Sequence, residues 1–428
     1  MKYGVRCFIT ICTLLLLIGI NCKGQDTWIS YLHKIEAKGY EGLGFRLQAL
    51  VRTEVTDDSA SARLWARVDK ENGVGFFDNM EKRPIRSSEW KKYSIEGKID
   101  SASTQLAFGA LCTYNGKFYY DDIKLDIEIK KGKWKNVFTA DFENGNNPLT
   151  KSRVDSNFNA HLISGQKAQK AQCLMIEGTN VPTYGVNNKA GKFADVNDIK
   201  LYYEVYGQGT PLVILHGNGG SIENASPFYP DLIKNYKVIA IDSRAHGKSG
   251  DTEAPLTYDL MASDVNELLD QMKLDSVFIW GQSDGAILGL ILAMDYPKKV
   301  KKVLAFGSNI RPDSSAVFSW AIAGMQKILK ESTDRRERKL NRLMVEYPNI
   351  PFSKLSTIKS PILIVAGDRD AIRPEHTLKL FQHIPNSQLC IIPGTTHGAA
   401  WEKKGLFLMI LNDFFNKPFT MPDTKSWY

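Results

Sequence analysis

The apolar residues of this chain change their period near residue 192, and no single layer of secondary structure accommodates both patterns. Upstream, Phe45-Arg46-Leu47-Gln48-Ala49-Leu50-Val51-Arg52 and Ala62-Arg63-Leu64-Trp65-Ala66-Arg67-Val68 alternate apolar with polar, and Lys124-Leu125-Asp126-Ile127-Glu128-Ile129 does so most cleanly. A period of two is that of a half-buried antiparallel strand. Turn signals at Glu71-Asn72-Gly73 and Tyr114-Asn115-Gly116-Lys117 separate such runs, and no helical pattern stands out. Residues 26–178 therefore read as a β-sandwich. Downstream, Pro211-Leu212-Val213-Ile214-Leu215, Lys237 to Ile241, Val277 to Trp280, Val303 to Phe306 and Pro361 to Val365 are continuous apolar runs, as in a parallel sheet covered on both faces. Helical stretches such as Ala262 to Met272 and Ile287 to Met294 lie between them, so residues 192–418 read as a wound α/β sheet. The polar, glycine-dotted stretch 179–191 reads as the linker.

The first residues read as an export signal rather than as part of either domain. Lys2 and Arg6 precede an apolar core from Phe8 to Ile20, too short for a comfortable membrane span, and a polar stretch follows. Cleavage near Gly24 or Gln25 is expected, which makes the protein periplasmic or secreted with no transmembrane anchor after processing. Lipid attachment at Cys22 is a rival, disfavoured by Asn21 just before it. Cleavage leaves Cys112, Cys173 and Cys390, too few and too scattered for a disulfide scaffold; pairing of Cys112 with Cys173 stays open. There is no CxxC pair and no HExxH, so no metal site and no cofactor is expected. A formal charge of +8 over 428 residues, with no basic stripe, gives no reason to expect nucleic acid.

The chemistry is concentrated downstream. Gly281-Gln282-Ser283-Asp284-Gly285 fits G-x-S-x-G, with a strand before it and an apolar helix after it. A serine on so tight a turn has its hydroxyl lifted clear of the sheet, and the flanking glycines make the turn sterically passable. His216-Gly217-Asn218-Gly219-Gly220 follows another strand and is suited to oxyanion binding. The backbone N–H of Asn218 and that of Asp284 are the two expected donors. His216 itself reads as a turn brace. Asp370, with Asp368 as the lesser candidate, and then His397 complete the order Ser, Asp, His at strand ends. His376 and His383 read as surface or packing residues on the helix after Pro374. The Asp284 carboxylate is a candidate contact for a cationic group on the acyl side of a substrate. Its plainer reading is an acid favoured by the helix N-terminus.

These three signatures, in one order, resemble the α/β-hydrolase fold over about residues 192–418. Asp242-Ser243-Arg244-Ala245-His246-Gly247-Lys248-Ser249 is similar to a structural stretch of that family. Trp280 to Gly285 and Tyr296-Pro297 resemble the biphenyl-hydrolase-like and valacyclovir-hydrolase esterases, which usually carry tryptophan where this chain has Gln282. The resemblance implies a cap, here a small insertion at about 309–358 of two to four helices, whose basic run Arg335 to Lys339 reads as a solvated face, with attraction of anionic substrates as the alternative. Upstream, Val74 to Met80, Arg83-Pro84-Ile85, Glu89 to Tyr93 and Tyr119 to Ile123 resemble galactose-binding-like jelly rolls. That likeness implies that the strand carrying Asp121-Asp122 closes an edge, where the pair reads as an edge device or a calcium-site relic. Phe138 to Glu177 looks like strands that usually open such a domain. Trp65, Phe76, Phe77, Trp90 and Tyr119 could stack on a carbohydrate, but aromatics in strands more often belong to the core or sheet surface, so a structural or docking role stands ahead of that reading.

The expectation is thus a metal-independent serine hydrolase acting on a small-molecule carboxylic ester through Ser283, Asp370 and His397. Carbon–carbon bond hydrolysis on the same fold is the near alternative, and a non-catalytic binding protein working through the sandwich is the distant one.

Overall fold

The computed structural model describes residues 27–55, 59–71, 73–164 and 171–427. The signal-like segment 1–25, with Cys22, and the turn residue Asn72 lie outside them. The chain divides between Thr183 and Tyr184, inside the expected linker, and by Gly191 it is already in a strand.

The first unit is built of strands, and among its described residues there is no helix. In order these are β1 (Trp28–Glu36), β2 (Gly44–Glu54), β3 (Ser61–Lys70), β4 (Gly73–Asp78), β5 (Lys91–Lys98), β6 (Ser103–Thr113), β7 (Gly116–Lys130), β8 (Lys133–Ala140), β9 (Thr150–Lys151), β10 (Phe158–Ser164) and β11 (Gln172–Gly178). Among the described residues they form two sheets, β4-β3-β6-β1-β9 and β10-β11-β7-β2-β5, with β8 paired to β7. The alternation read in β2 is met residue by residue: Phe45, Leu47, Ala49, Val51 and Thr53 are buried, and the residues between them are partly exposed. Tyr120, buried between the sheets, donates to the Leu111 carbonyl at 2.6 Å.

One expectation about this unit changes. The strand carrying Asp121-Asp122 is β7, which lies between β11 and β2 and not at an edge. A bulge opposite Ala49 turns Asp122 to φ +46° while Asp121 is fully buried, its Oδ1 accepting from the Asp122 N–H at 2.7 Å. The five aromatics are not gathered on one sheet. Trp65 and Tyr119 are buried, and the set is divided between the two sheets. Cys112 and Cys173 are buried free thiols, the latter pushed up to about 12 by burial.

The second unit is an eight-stranded sheet among the described residues, ordered β12-β13-β15-β14-β16-β17-β18-β19. Its strands are β12 (Gly191–Val196), β13 (Ile199–Tyr206), β14 (Thr210–Leu215), β15 (Tyr236–Ile241), β16 (Val277–Gln282), β17 (Val300–Phe306), β18 (Ile362–Gly367) and β19 (Ser387–Ile392). The first two are antiparallel to their neighbours, and from β15 onward the pairing is parallel. Alternate residues serve opposite faces. Val213, Leu215 and Ile279 join a core with helices α1 (Tyr258–Gln271) and α2 (Asp284–Asp295). Ile214, Phe278 and Trp280 join one with Phe407, Leu411 and Phe415, which lie on the C-terminal helix Lys404–Asn416. Burial on both faces is why these strands read as unbroken apolar runs. Helix α1 begins four residues before the Ala262 expected from the pattern, because Thr257 caps it by accepting from the Leu260 N–H.

Between β17 and β18 lie α3 (Ser319–Glu331), α4 (Arg335–Glu346) and a short helix, Phe352–Leu355. The basic run on α4 is more than a solvated face. Arg336 donates to the Ala245 carbonyl at 2.6 Å, Lys339 pairs with Asp251 at 2.6 Å, and Arg335 pairs with Glu253. Three of the four basic residues of that run fasten the cap to the loop after β15.

Candidate active site

Ser283 stands between β16 and α2 with φ +52° and ψ −116°, a backbone conformation a non-glycine residue adopts only under constraint. The constraint is visible on both sides. A Cβ on Gly281 would lie 2.2 Å from the Gly285 carbonyl oxygen, and one on Gly285 would lie 2.1 Å from that of Leu215. Ser283 donates its own N–H to Phe306 O on β17 at 2.8 Å, and its carbonyl takes the N–H groups of Ala286 and Ile287. Asp284 therefore opens α2, where first-turn N–H groups have no partner within the helix.

The His397 ring is held by Asp370, with Nδ1 donating to Oδ1 at 2.5 Å. That bond leaves Nε2 as the nitrogen free of the carboxylate. Asp370 is buried after β18, and also accepts from the N–H groups of Ile372 at 3.0 Å and Gly367 at 3.4 Å. Burial alone would raise its carboxyl, but the His397 charge and these hydrogen bonds outweigh that and hold it low. Burial alone would lower the imidazole, but Asp370, with help from the Asp284 carboxylate, outweighs that and holds His397 above its ordinary value. The ring lies against β17's end, where a Cβ on Gly307 would come within 2.7 Å of His397 Cε1. Asp368, the other candidate acid, accepts from the Thr395 N–H at 3.1 Å, while the ring bonds Asp370.

The remaining histidines of interest are braces. His216 Nε2 accepts from the Ser243 N–H at 3.0 Å and Nδ1 lies 2.7 Å from the Gly217 carbonyl oxygen, so both nitrogens are occupied. Its ring packs at 5.0 Å against His246, which burial pushes down to about 3. His376, expected on a packing or surface position, accepts from the Ile310 N–H at the entry to the cap. Arg244 and Asp264 form a buried two-pronged pair at 2.7 Å, and Asp242 accepts from the N–H groups of Ile222 and Lys248. These bonds give the Asp242–Ser249 stretch its structural character.

The glycine turn after β14 lies beside the serine, since a Cβ on Gly217 would be 3.2 Å from Ser283 Cβ. The side chain of Asn218 does something the sequence did not announce: its amide donates to Asp284 Oδ2 at 2.8 Å and to the Leu340 carbonyl of α4 at 3.2 Å. Asp284 Oδ1 accepts from the Tyr258 hydroxyl at 2.9 Å. The carboxylate expected to meet a cationic substrate group is thus 3% exposed, with both oxygens engaged inside the protein. Tyr258 escaped notice because its helix was expected to begin later. Among the described residues no group of three or more histidine, cysteine or acidic side chains could hold a metal ion.

Residues 210–327 match the family model of the alpha/beta hydrolase fold. Serine hydrolase BPHL of Mus musculus is 26% identical over 272 residues, covering 57% of this chain and 92% of its own. The 2-hydroxy-6-oxo-6-phenylhexa-2,4-dienoate hydrolase of Burkholderia cepacia is 24% identical over 272 residues, covering 52% of this chain and 95% of its own. The sn-1-specific diacylglycerol lipase ABHD11 of Danio rerio is 32% identical over 163 residues, covering 35% of this chain and 50% of its own.

Proposed function

We propose that this α/β-hydrolase enzyme cleaves a small carboxylic ester through an acyl-enzyme, with Ser283 as nucleophile, His397 as base and Asp370 as its orienting acid. The observation that carries the reading is the His397–Asp370 bond of 2.5 Å in the same unit as a serine held at positive φ. Ser283 Oγ attacks the ester carbonyl carbon while His397 Nε2 takes its proton. The carbonyl oxygen becomes an oxyanion, met by the backbone N–H groups of Asn218 and Asp284. Collapse expels the alcohol, which leaves with the proton from His397. A water then attacks the acyl-enzyme with His397 again as base, returning the serine and releasing the acid. Asp370 keeps the Nδ1–H tautomer and stabilises the imidazolium in both halves.

A second reading is hydrolysis of a carbon–carbon bond beside a ketone, favoured by the dienoate hydrolase among the relatives. The two are separated by turnover. The ester reading expects p-nitrophenyl acetate or butyrate to be hydrolysed by the parent and not by Ser283→Ala. Turnover of a 2-hydroxy-6-oxo-dienoate with no ester turnover would replace it with the second.

A further inference from the structure

The site contains a carboxylate for which the reaction above has no step. Asp284 follows the nucleophile, is buried, and carries a negative charge beside the place where an oxyanion would form. Such a charge opposes the transition state unless it contributes something else. What it contributes is visible in its partners. Asn218 and Asp284 are the two residues whose main-chain N–H groups would hold the oxyanion, and their side chains are bonded to each other at 2.8 Å. Asn218 sits among Gly217, Gly219 and Gly220, so its own turn has little intrinsic stiffness. Tyr258 on α1 fixes the other carboxylate oxygen, and the Asn218 amide reaches on to Leu340 O of the cap.

We propose that Asp284 is a positioning residue: its carboxylate clamps the turn 216–220 to the start of α2, fixing the spacing of the two oxyanion donors, and through the Asn218 amide registers the cap helix over them. This rests on the reading of Ser283 as nucleophile. The clamp is tightest with an ionised carboxylate, because two charged acceptor oxygens then face two donors. An amide, or a protonated carboxyl, keeps both bonds only if the Tyr258 hydroxyl turns to accept, and the bonds are then neutral ones of about half the strength. The polar and titratable groups facing Asp284 are Tyr258 from α1, Asn218 from the turn and His397 from the segment after β19. Burial pushes its carboxyl up to about 6 against the opposing effect of those three, so the clamp loosens as pH falls through that region.

The test uses the full chain, p-nitrophenyl butyrate and the rate of covalent labelling by a fluorophosphonate. Asp284→Asn and Asn218→Ala should each lower kcat about 10- to 100-fold with little change in KM, short of or near the effect of losing one oxyanion donor. Their losses should not multiply, because both break the same clamp. Asp284→Asn also removes a charge that raises His397, so the acid limb of kcat/KM should move to lower pH. Tyr258→Phe removes one hydroxyl and serves where Asp284→Asn fails to fold. It takes a donor from the ionised carboxylate, so the pH at which the clamp is lost should rise. Multiplying losses, or unchanged kcat in Asp284→Asn, in a parent that labels normally would overturn the clamp. So would a preference of the parent for an α-amino ester over its N-acetyl counterpart that vanishes in Asp284→Asn, since the carboxylate would then serve substrate. A parent that does not label at Ser283 would instead overturn the hydrolase reading beneath it.

Discussion

The two units spend their buried polar groups differently. Among the described residues, the β unit buries serines and threonines and a single acidic side chain, Asp121, with no histidine. The hydrolase unit buries Glu204, His216, Asp242, Arg244, His246, Asp264, Asp284, Asp370 and His376. An ionisable group taken out of water is costly unless partners compensate it, so such groups accumulate where several are made to face one another. In the second unit many of them crowd the C-terminal ends of the parallel strands, where a wound sheet opens its crevice. Buried ionisable groups, more than aromatic content, separate the two units.

The largest test of that contrast is to remove a polar side chain from each unit. Ser283→Ala and His397→Ala should lower kcat by about 10⁶-fold, leaving only binding and the oxyanion donors. Asp121→Asn should leave kcat at the parent value and lower stability by about 1–3 kcal/mol, read as a fall in Tm. A loss of kcat in Asp121→Asn would break the contrast.

Within the hydrolase unit the two carboxylates after β18 sharpen it. Asp370→Asn, which fixes the wrong imidazole tautomer, should lower kcat by about 10⁴-fold. Asp368→Asn disturbs only the turn at Thr395 and should keep most activity. The reverse pattern would assign the acid to Asp368.

A smaller effect is expected on the pH profile. The base must be neutral to take the serine proton, so kcat/KM falls as pH drops through the His397 pKa. Asp370 and Asp284 hold that value above the ordinary 6.5, so the acid limb should lie above it as well. In Asp370→Asn the residual activity should show its acid limb at lower pH. An acid limb that stays put would remove the electrostatic link between the two residues.

The smallest expected change comes from dividing the chain. Residues 184–428 expressed alone should hydrolyse p-nitrophenyl butyrate at about the full-chain rate. The cut falls before Gly185 because its N–H donates to the buried Glu204 carboxylate at 2.9 Å. Beginning near Lys192 would discard that bond. A large loss of rate in residues 184–428 would contradict the independence of the reaction from the β unit.

How much of this was legible in the sequence follows from how local each requirement is. Ser283, Gly281 and Gly285 answer to one tight turn, and Asp370 and His397 to the ends of two strands, so their residue types and order carry the message. The bidentate Arg244–Asp264 pair and the hydroxyl of Tyr258 on Asp284 depend on which helix packs against which strand. No spacing in the chain encodes that. Asp121 was misplaced to an edge because alternation defines a strand's faces and says nothing about its neighbours. The same limit applies to the aromatics of the β unit, whose sheet the alternation does not assign. Residues that look alike in sequence were sent to different sheets.

The central claim is that Ser283 is a nucleophile activated by His397. It is tested most directly by treating the protein with a fluorophosphonate at neutral pH and mapping the adduct by peptide mass spectrometry. The account predicts a single adduct on Ser283, absent in Ser283→Ala and formed far more slowly in His397→Ala. An unmodified Ser283 in active-site-intact protein, or an adduct formed equally fast without His397, would contradict it.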